Sequence, residues 1–218
     1  MRLRCIGAYA CGRRGNRSSR VRSRRAIRGV YAALATVSLL CALCACAAAG
    51  ASAAPRARAA GAACPGATRR PTAGDGSSVD RATLCLVNSI RAAHGLRPLR
   101  ANRPLGKVAG SQVGTMVRWD YFADVRPSGQ TPLSLVSVTR YPAHTAGYAV
   151  GQNIAWGTGT FASPEHIVAE WMASPPHRAI ILTGYYRDAG VAVEPALPGI
   201  LRAGESGATY AMEFGVRF

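Results

Sequence analysis

Apolar positions recur at helical spacing through the middle of the chain and alternate near its end. Leu86, Val87, Ile90 and Ala93 share one face of a helix predicted to open at the caps Ser77 and Ser78 and run to His94, with Gly95 as its stop. A second helix is predicted from Arg103 to Trp119. Asn102 caps it, Pro104 sits in its first turn, and Leu105, Val108, Ala109, Gln112 and Met116 form its inner face. Three shorter helices follow, each opened by a hydroxyl residue and a proline. They start at Thr131-Pro132, at Ser163-Pro164 (with Ile167, Val168, Trp171 and Met172 inward) and at Ser174-Pro175, the last setting His177 in a first turn.

The period then changes. Residues 188–194 alternate around Val191 and Val193, and 209–218 alternate Tyr210, Met212, Phe214 and Val216, with a hairpin-like connection between them. Helices first, then mixed elements, then a terminal hairpin predict an α+β fold, with helices packed on an antiparallel sheet.

The first 54 residues read differently. They hold ten arginines and no acid, and an apolar centre from Val30 to about Leu43 gives way to the small-residue run 49–54. That centre is short for a membrane span, so a removed export signal is expected, with cleavage after Ala53 or Ala54. Ser23-Arg24-Arg25-Ala26-Ile27 resembles a twin-arginine element, and Leu43-Cys44-Ala45-Cys46 offers an alternative, a lipid anchor at Cys46. Residues 55–76, rich in Ala, Arg, Gly, Pro and Thr, read as a flexible linker, which leaves 77–218 as the one domain.

Charge follows the leader. The whole chain carries +17, but residues 55–218 hold 17 basic against 10 acidic residues, or +7. Nucleic acid is therefore not an expected partner, and a monomer without a membrane span is. Five of seven cysteines lie in the leader; Cys64 and Cys85 remain, and a bridge between them suits an oxidising compartment. The alternative is a buried helix thiol at Cys85 with Cys64 disordered.

Six stretches carry a family resemblance. They are Leu86-Val87-Asn88-x-x-Arg91-x-x-His94-Gly95-Leu96, Tyr121-Phe122 with Gly129-Gln130-Thr131-Pro132, Gly147-Tyr148, Gly151-Gln152-Asn153-Ile154-Ala155, Trp171-Met172-Ala173-Ser174-Pro175-Pro176-His177-Arg178, and Gly190-Val191-Ala192-Val193. In this order they resemble the CAP superfamily (cysteine-rich secretory, antigen 5 and pathogenesis-related-1), in its bacterial SCP-like form. The resemblance implies an α-β-α sandwich with the sheet between helical layers.

It also implies a cleft. Metal-binding members use two histidines and one or two glutamates, and of those positions only His177 matches. Asp124 stands where the first histidine is usual, Gln152 replaces the glutamate of G-E-N, and Ser174 fills the second glutamate's slot. Zinc takes about four ligands from His, Cys or carboxylate. Asp124 and His177 supply two, and Glu213 on the last strand is the remaining candidate. No cofactor is expected, and a divalent metal is the exception to be tested.

Acid/base chemistry needs a group that exchanges a proton near neutrality. Gln152 cannot, whereas an Asp124–His177 pair could, or could simply order the cleft. Ser174 reads as a helix cap before it reads as a nucleophile, since no Gly-x-Ser-x-Gly elbow accompanies it. Trp171 is expected in the core, His94 at a helix end, His144 in a loop and His166 facing solvent. The expected function is that of an exported, non-catalytic module binding a cell-envelope component, a small apolar ligand or a protein. The alternative is a degenerate metal-assisted hydrolase using Asp124 and His177.

Overall fold

The chain's last strand is the centre of the sheet. In a computed structural model describing residues 64–201 and 206–218, β1 is Arg100–Ala101, β2 Tyr148–Thr158, β3 Asp188–Glu194 and β4 Gly207–Arg217, in the spatial order β1-β3-β4-β2. Antiparallel pairing joins β4 to β3 on one side and, along its whole length, to β2 on the other. The two residues of β1 add a parallel edge to β3. The terminal hairpin is as expected.

Strand β2 is absent from the elements the pattern predicts, for a physical reason. A strand covered on one face alternates, but here nine of eleven residues are buried, so Gly, Gln and Asn sit among apolar residues without a period of two.

The helices are α1 (Gly76–Ala93), α2 (Arg103–Arg118), α3 (Pro132–Ser137), α4 (Pro164–Ala173) and α5 (Pro175–Ile181). The pleat sends Tyr210, Met212 and Phe214 to one face, where they pack with Val79, Leu86 and Val87 of α1, Ile167 and Trp171 of α4 and Ile181 of α5. Ala211 and Ile154 point to the other face, against Ala109, Val113 and Met116 of α2. Val150 meets Leu105, Val136 and Tyr141 there. Three layers result, helix–sheet–helix.

Glycine permits one of these contacts. A Cβ on Gly190 would stand 2.0 Å from the Gly106 nitrogen, so α2 can lie against β3 only because that position lacks a side chain.

Local chemistry explains most boundaries. Asn102 accepts from the Leu105 N–H, as its place before α2 predicts. Gly95 takes φ +69°, and the Leu96 N–H returns to the Arg91 carbonyl, closing α1. The start of α1 differs from expectation: its cap is Asp75, and Ser78 donates back to the Asp75 carbonyl.

The expected linker 55–76 is described from Cys64 onward; there Cys64 and Ala67 are buried, while most of residues 68–74 are exposed. Cys64 and Ala67 are in the core, the Ala67 carbonyl accepts from Glu165 N–H, and Cys64 is bridged to Cys85 of α1. The export signal, its twin-arginine element and Cys46 lie outside the described residues.

Two side chains tie α1 to the rest. Asn88 makes a reciprocal pair with the Leu99 backbone, accepting at 2.8 Å and donating at 3.0 Å. Arg91, fully buried, donates to the carbonyls of Arg97, Ile181, Thr183 and Tyr186. It thereby satisfies acceptors at and beyond the end of α5.

Candidate functional site

Strand β2 carries its two motif amides to opposite sides. Gln152 lies opposite Glu213 of β4 on the α2 side, and its Nε2 donates to Glu213 Oε1 at 2.5 Å. Asn153 faces the other way, and its Nδ2 donates to the His177 carbonyl at 3.2 Å, fastening the first turn of α5 to the strand.

The acids share one buried neighbourhood. Asp124 is 2% exposed; Gln152, His177 and Glu213 are wholly enclosed. Burial pushes the Asp124 carboxyl up to about 7. It pushes Glu213 up to about 8, against the Gln152 amide and assisted by the nearby Asp124 charge, with Arg126 opposing. Neither Asp124 oxygen, nor Glu213 Oε2, has a hydrogen-bond partner among the described residues.

Gln112 and Arg126 support this cluster, and sequence reasoning gave neither a role. Gln112 on α2 donates to the carbonyls of Ala123 and Asp124, setting the chain that carries the acid. Arg126, next to the turn residues Pro127, Ser128 and Gly129, is buried. Its Nε donates to Gln112 Oε1 at 3.1 Å and its Nη2 to Ser111 Oγ at 2.8 Å. The polar Gln112 on the predicted inner face of α2 was the available signal, because a buried amide needs partners.

Ser174 and His177 form a second pair, with Ser174 Oγ 2.9 Å from His177 Nδ1. Ser174 does hold the N-cap position of α5, but its hydroxyl makes no cap bond to a backbone N–H. The same arrangement recurs one helix earlier, where Ser163 Oγ lies 2.8 Å from His166 Nδ1 and Ser163 caps α4. Both are Ser-Pro-x-His, with the imidazole at the third helical position reaching back to the cap. His166 is exposed, whereas His177 is buried. The Ser–His contact is therefore produced by helix-start geometry and does not itself mark a nucleophile.

As for metal, no group of three or more His, Cys, Asp or Glu side chains is placed to hold an ion among the described residues. Trp171 is core, its Nε1 donating to the Ile154 carbonyl, and His94 and His144 are exposed.

Similarity to known proteins agrees with this architecture. A protein of Bacillus subtilis described as uncharacterized, YkwD, is 31% identical over 115 residues, covering 53% of this chain and 42% of its own length. An extracellular protein containing an SCP domain from Bacillus anthracis superposes with a TM-score of 0.51 at 19% identity, over 66% of this chain and 44% of that one. An outer surface protein from Borrelia burgdorferi gives 0.50 at 16% identity, over 62% and 90%. The chain thus spans less than half of the two Bacillus proteins, and the two solved structures speak for the fold alone. The family described as CAP, cysteine-rich secretory protein, matches residues 84–197, more than half of the sequence, and the chain belongs to that family.

Proposed function

We propose that this chain is an exported, non-catalytic binding module of the CAP family, whose partner is a cell-envelope component, a small apolar ligand or another protein. The observation that carries the reading is enclosure. Asp124, Gln152, His177 and Glu213 are all buried, so a substrate reaches none of them without opening the layers. Gln152, in the place of the motif's glutamate, exchanges no proton. The Arg-rich leader with its small-residue end supports export. The descriptions of the two structural neighbours, extracellular and outer-surface, point the same way.

The hydrolase alternative draws on the Ser174–His177 contact. Its repetition at Ser163 and His166 removes that support. The test is calorimetric zinc titration beside a proteolysis screen, with His177→Ala as control. No zinc heat and no His177-dependent cleavage are expected, while retention on isolated envelope fractions survives Asp124→Ala. Micromolar zinc binding, or proteolysis lost in His177→Ala, overturns the reading.

A further inference from the structure

A second polar cleft lies away from the buried acids and includes none of the four cleft residues. It has a volume of about 630 Å³, and Arg100, His144, Thr145, Arg187, Asp188 and Arg217 are among its lining residues. We propose that it binds a phosphate group. This goes beyond the binding-module reading and does not depend on it.

The arginines converge because of the sheet register. Arg100 on β1 is the register partner of Asp188 on β3, and Asp188 pairs in turn with Gly215, two residues before Arg217 on β4. The register thus places Arg100 and Arg217 beside Asp188, and Arg187, the residue before Asp188, also lines the cleft. Asp188 is the acidic side chain in the lining, and its Oδ2 is already engaged twice. It accepts from the Tyr141 hydroxyl at 2.9 Å and lies 3.7 Å from Arg217 Nε. One main-chain oxygen of Phe218, also in the lining, accepts from the Gly147 N–H.

Two of the cations are also held in place. The Arg217 guanidinium carbon stands 5.1 Å from the centroid of the Tyr141 ring, and the ring's position requires Gly215, where a Cβ would stand 2.3 Å from the Tyr141 hydroxyl. Arg187, which lines the cleft, is fixed through Nη1 on the carbonyls of Gly184 and Tyr186. The Arg100 side chain, exposed, has no hydrogen bond or ion pair among the described residues. His144 is held on the rim in the left-handed region, at φ +60°.

The ligand class follows from counting acceptors. One bidentate guanidinium satisfies a carboxylate, which would leave the other cations unmatched. A phosphate presents three terminal oxygens and up to two charges, and so engages more than one arginine fork. The same group is offered by a free phosphate ester and by a lipid headgroup.

The full chain is titrated with glycerol 3-phosphate at physiological ionic strength, with acetate as the competing anion, and pelleted with phosphatidylglycerol or phosphatidylcholine vesicles. Saturable glycerol phosphate binding is expected, weakened about tenfold by Arg100→Ala and unchanged by Lys107→Ala, an exposed cation outside the lining. Arg217→Gln should weaken it as well; Arg100→Ala is decisive because Arg100 supports no other contact. Pelleting with phosphatidylglycerol that falls in Arg100→Ala assigns the phosphate to a lipid. Pelleting that does not change, with glycerol phosphate binding still lost, assigns it to a soluble ester. The proposal is overturned by absence of saturable binding to either probe, by equal losses in Arg100→Ala and Lys107→Ala, or by acetate binding as tightly as the ester. None of these outcomes bears on zinc or proteolysis, so the two readings fail separately.

Discussion

Gln152 donates its side-chain amide to Glu213 between register partners of β2 and β4, at 2.5 Å and inside the α2 layer. An amide there supplies a donor to a carboxyl whose other near neighbours include the Asp124 acid. Replacing it with the glutamate that the family motif usually carries removes the donor and adds a third acid. Gln152→Glu should therefore destabilise by about 1–3 kcal/mol, with the deficit growing as pH rises above neutrality. Urea unfolding at pH 5 and pH 9 measures both. A variant as stable as the parent at pH 9 would mean that the amide is dispensable.

The buried acids set a pH dependence whose sign can be worked out. Asp124, Glu213 and Asp80 all have carboxyls raised by burial above their ordinary values, to about 7, 8 and 7. A folded state that keeps its protons more tightly is most stable below the unfolded carboxylate range and loses that advantage as pH climbs through the folded values. Stability should fall between about pH 4 and 8, by an amount on the order of a few kcal/mol. Asp124→Asn together with Glu213→Gln should flatten the decline in a thermal-melt series. A profile unchanged by both substitutions would place the proton uptake elsewhere.

Arg91 is a clamp of a different kind, one cation on four carbonyls. Lysine keeps the charge but cannot span the fork. Arg91→Lys should cost about 2 kcal/mol and Arg91→Met more, because buried carbonyls lose their donors. Equal stability of Arg91→Lys and the parent in urea would show that charge alone suffices.

Elements with caps and one-sided burial were readable from residues alone. Asn102, Pro104 and a helical inner face located α2 closely, and two alternating runs located β3 and β4. The extent of strand β2 was not readable from periodicity, since both of its faces are covered. Within the candidate site, Gln152 and His177 stood out by motif, but Glu213 could be joined to Gln152 only through strand register, 61 residues away. Arg126 sits in a stretch whose Pro, Ser and Gly announce a turn, and nothing local reveals that its guanidinium turns inward to Gln112. Arg91 likewise depends on partners about 90 residues on. Contacts of that range are decided by packing, which local patterns do not encode.

The Cys64–Cys85 bridge has a cost that is simple to measure. It closes a loop with a sequence separation of 21, worth about 3 kcal/mol on the chain-entropy estimate. The Cys64→Ala, Cys85→Ala double variant should lose about that much, and one that melts with the parent would show that the packing of Ala67 and α1 suffices.

The same bridge decides how the domain bears tension. A pull on the chain ahead of Cys64 passes through the sulfurs to Cys85, in the middle of α1, and bypasses the first turns of that helix. The load then arrives beside Leu86 and Val87, which are packed in the core. Residues between the two cysteines stay slack until the bridge is cut. In a single-molecule pulling experiment the oxidised domain should extend by about 21 residues less than the reduced one. For a protein held from its N-terminal side, the fold's mechanical starting point is Cys85, not Gly76.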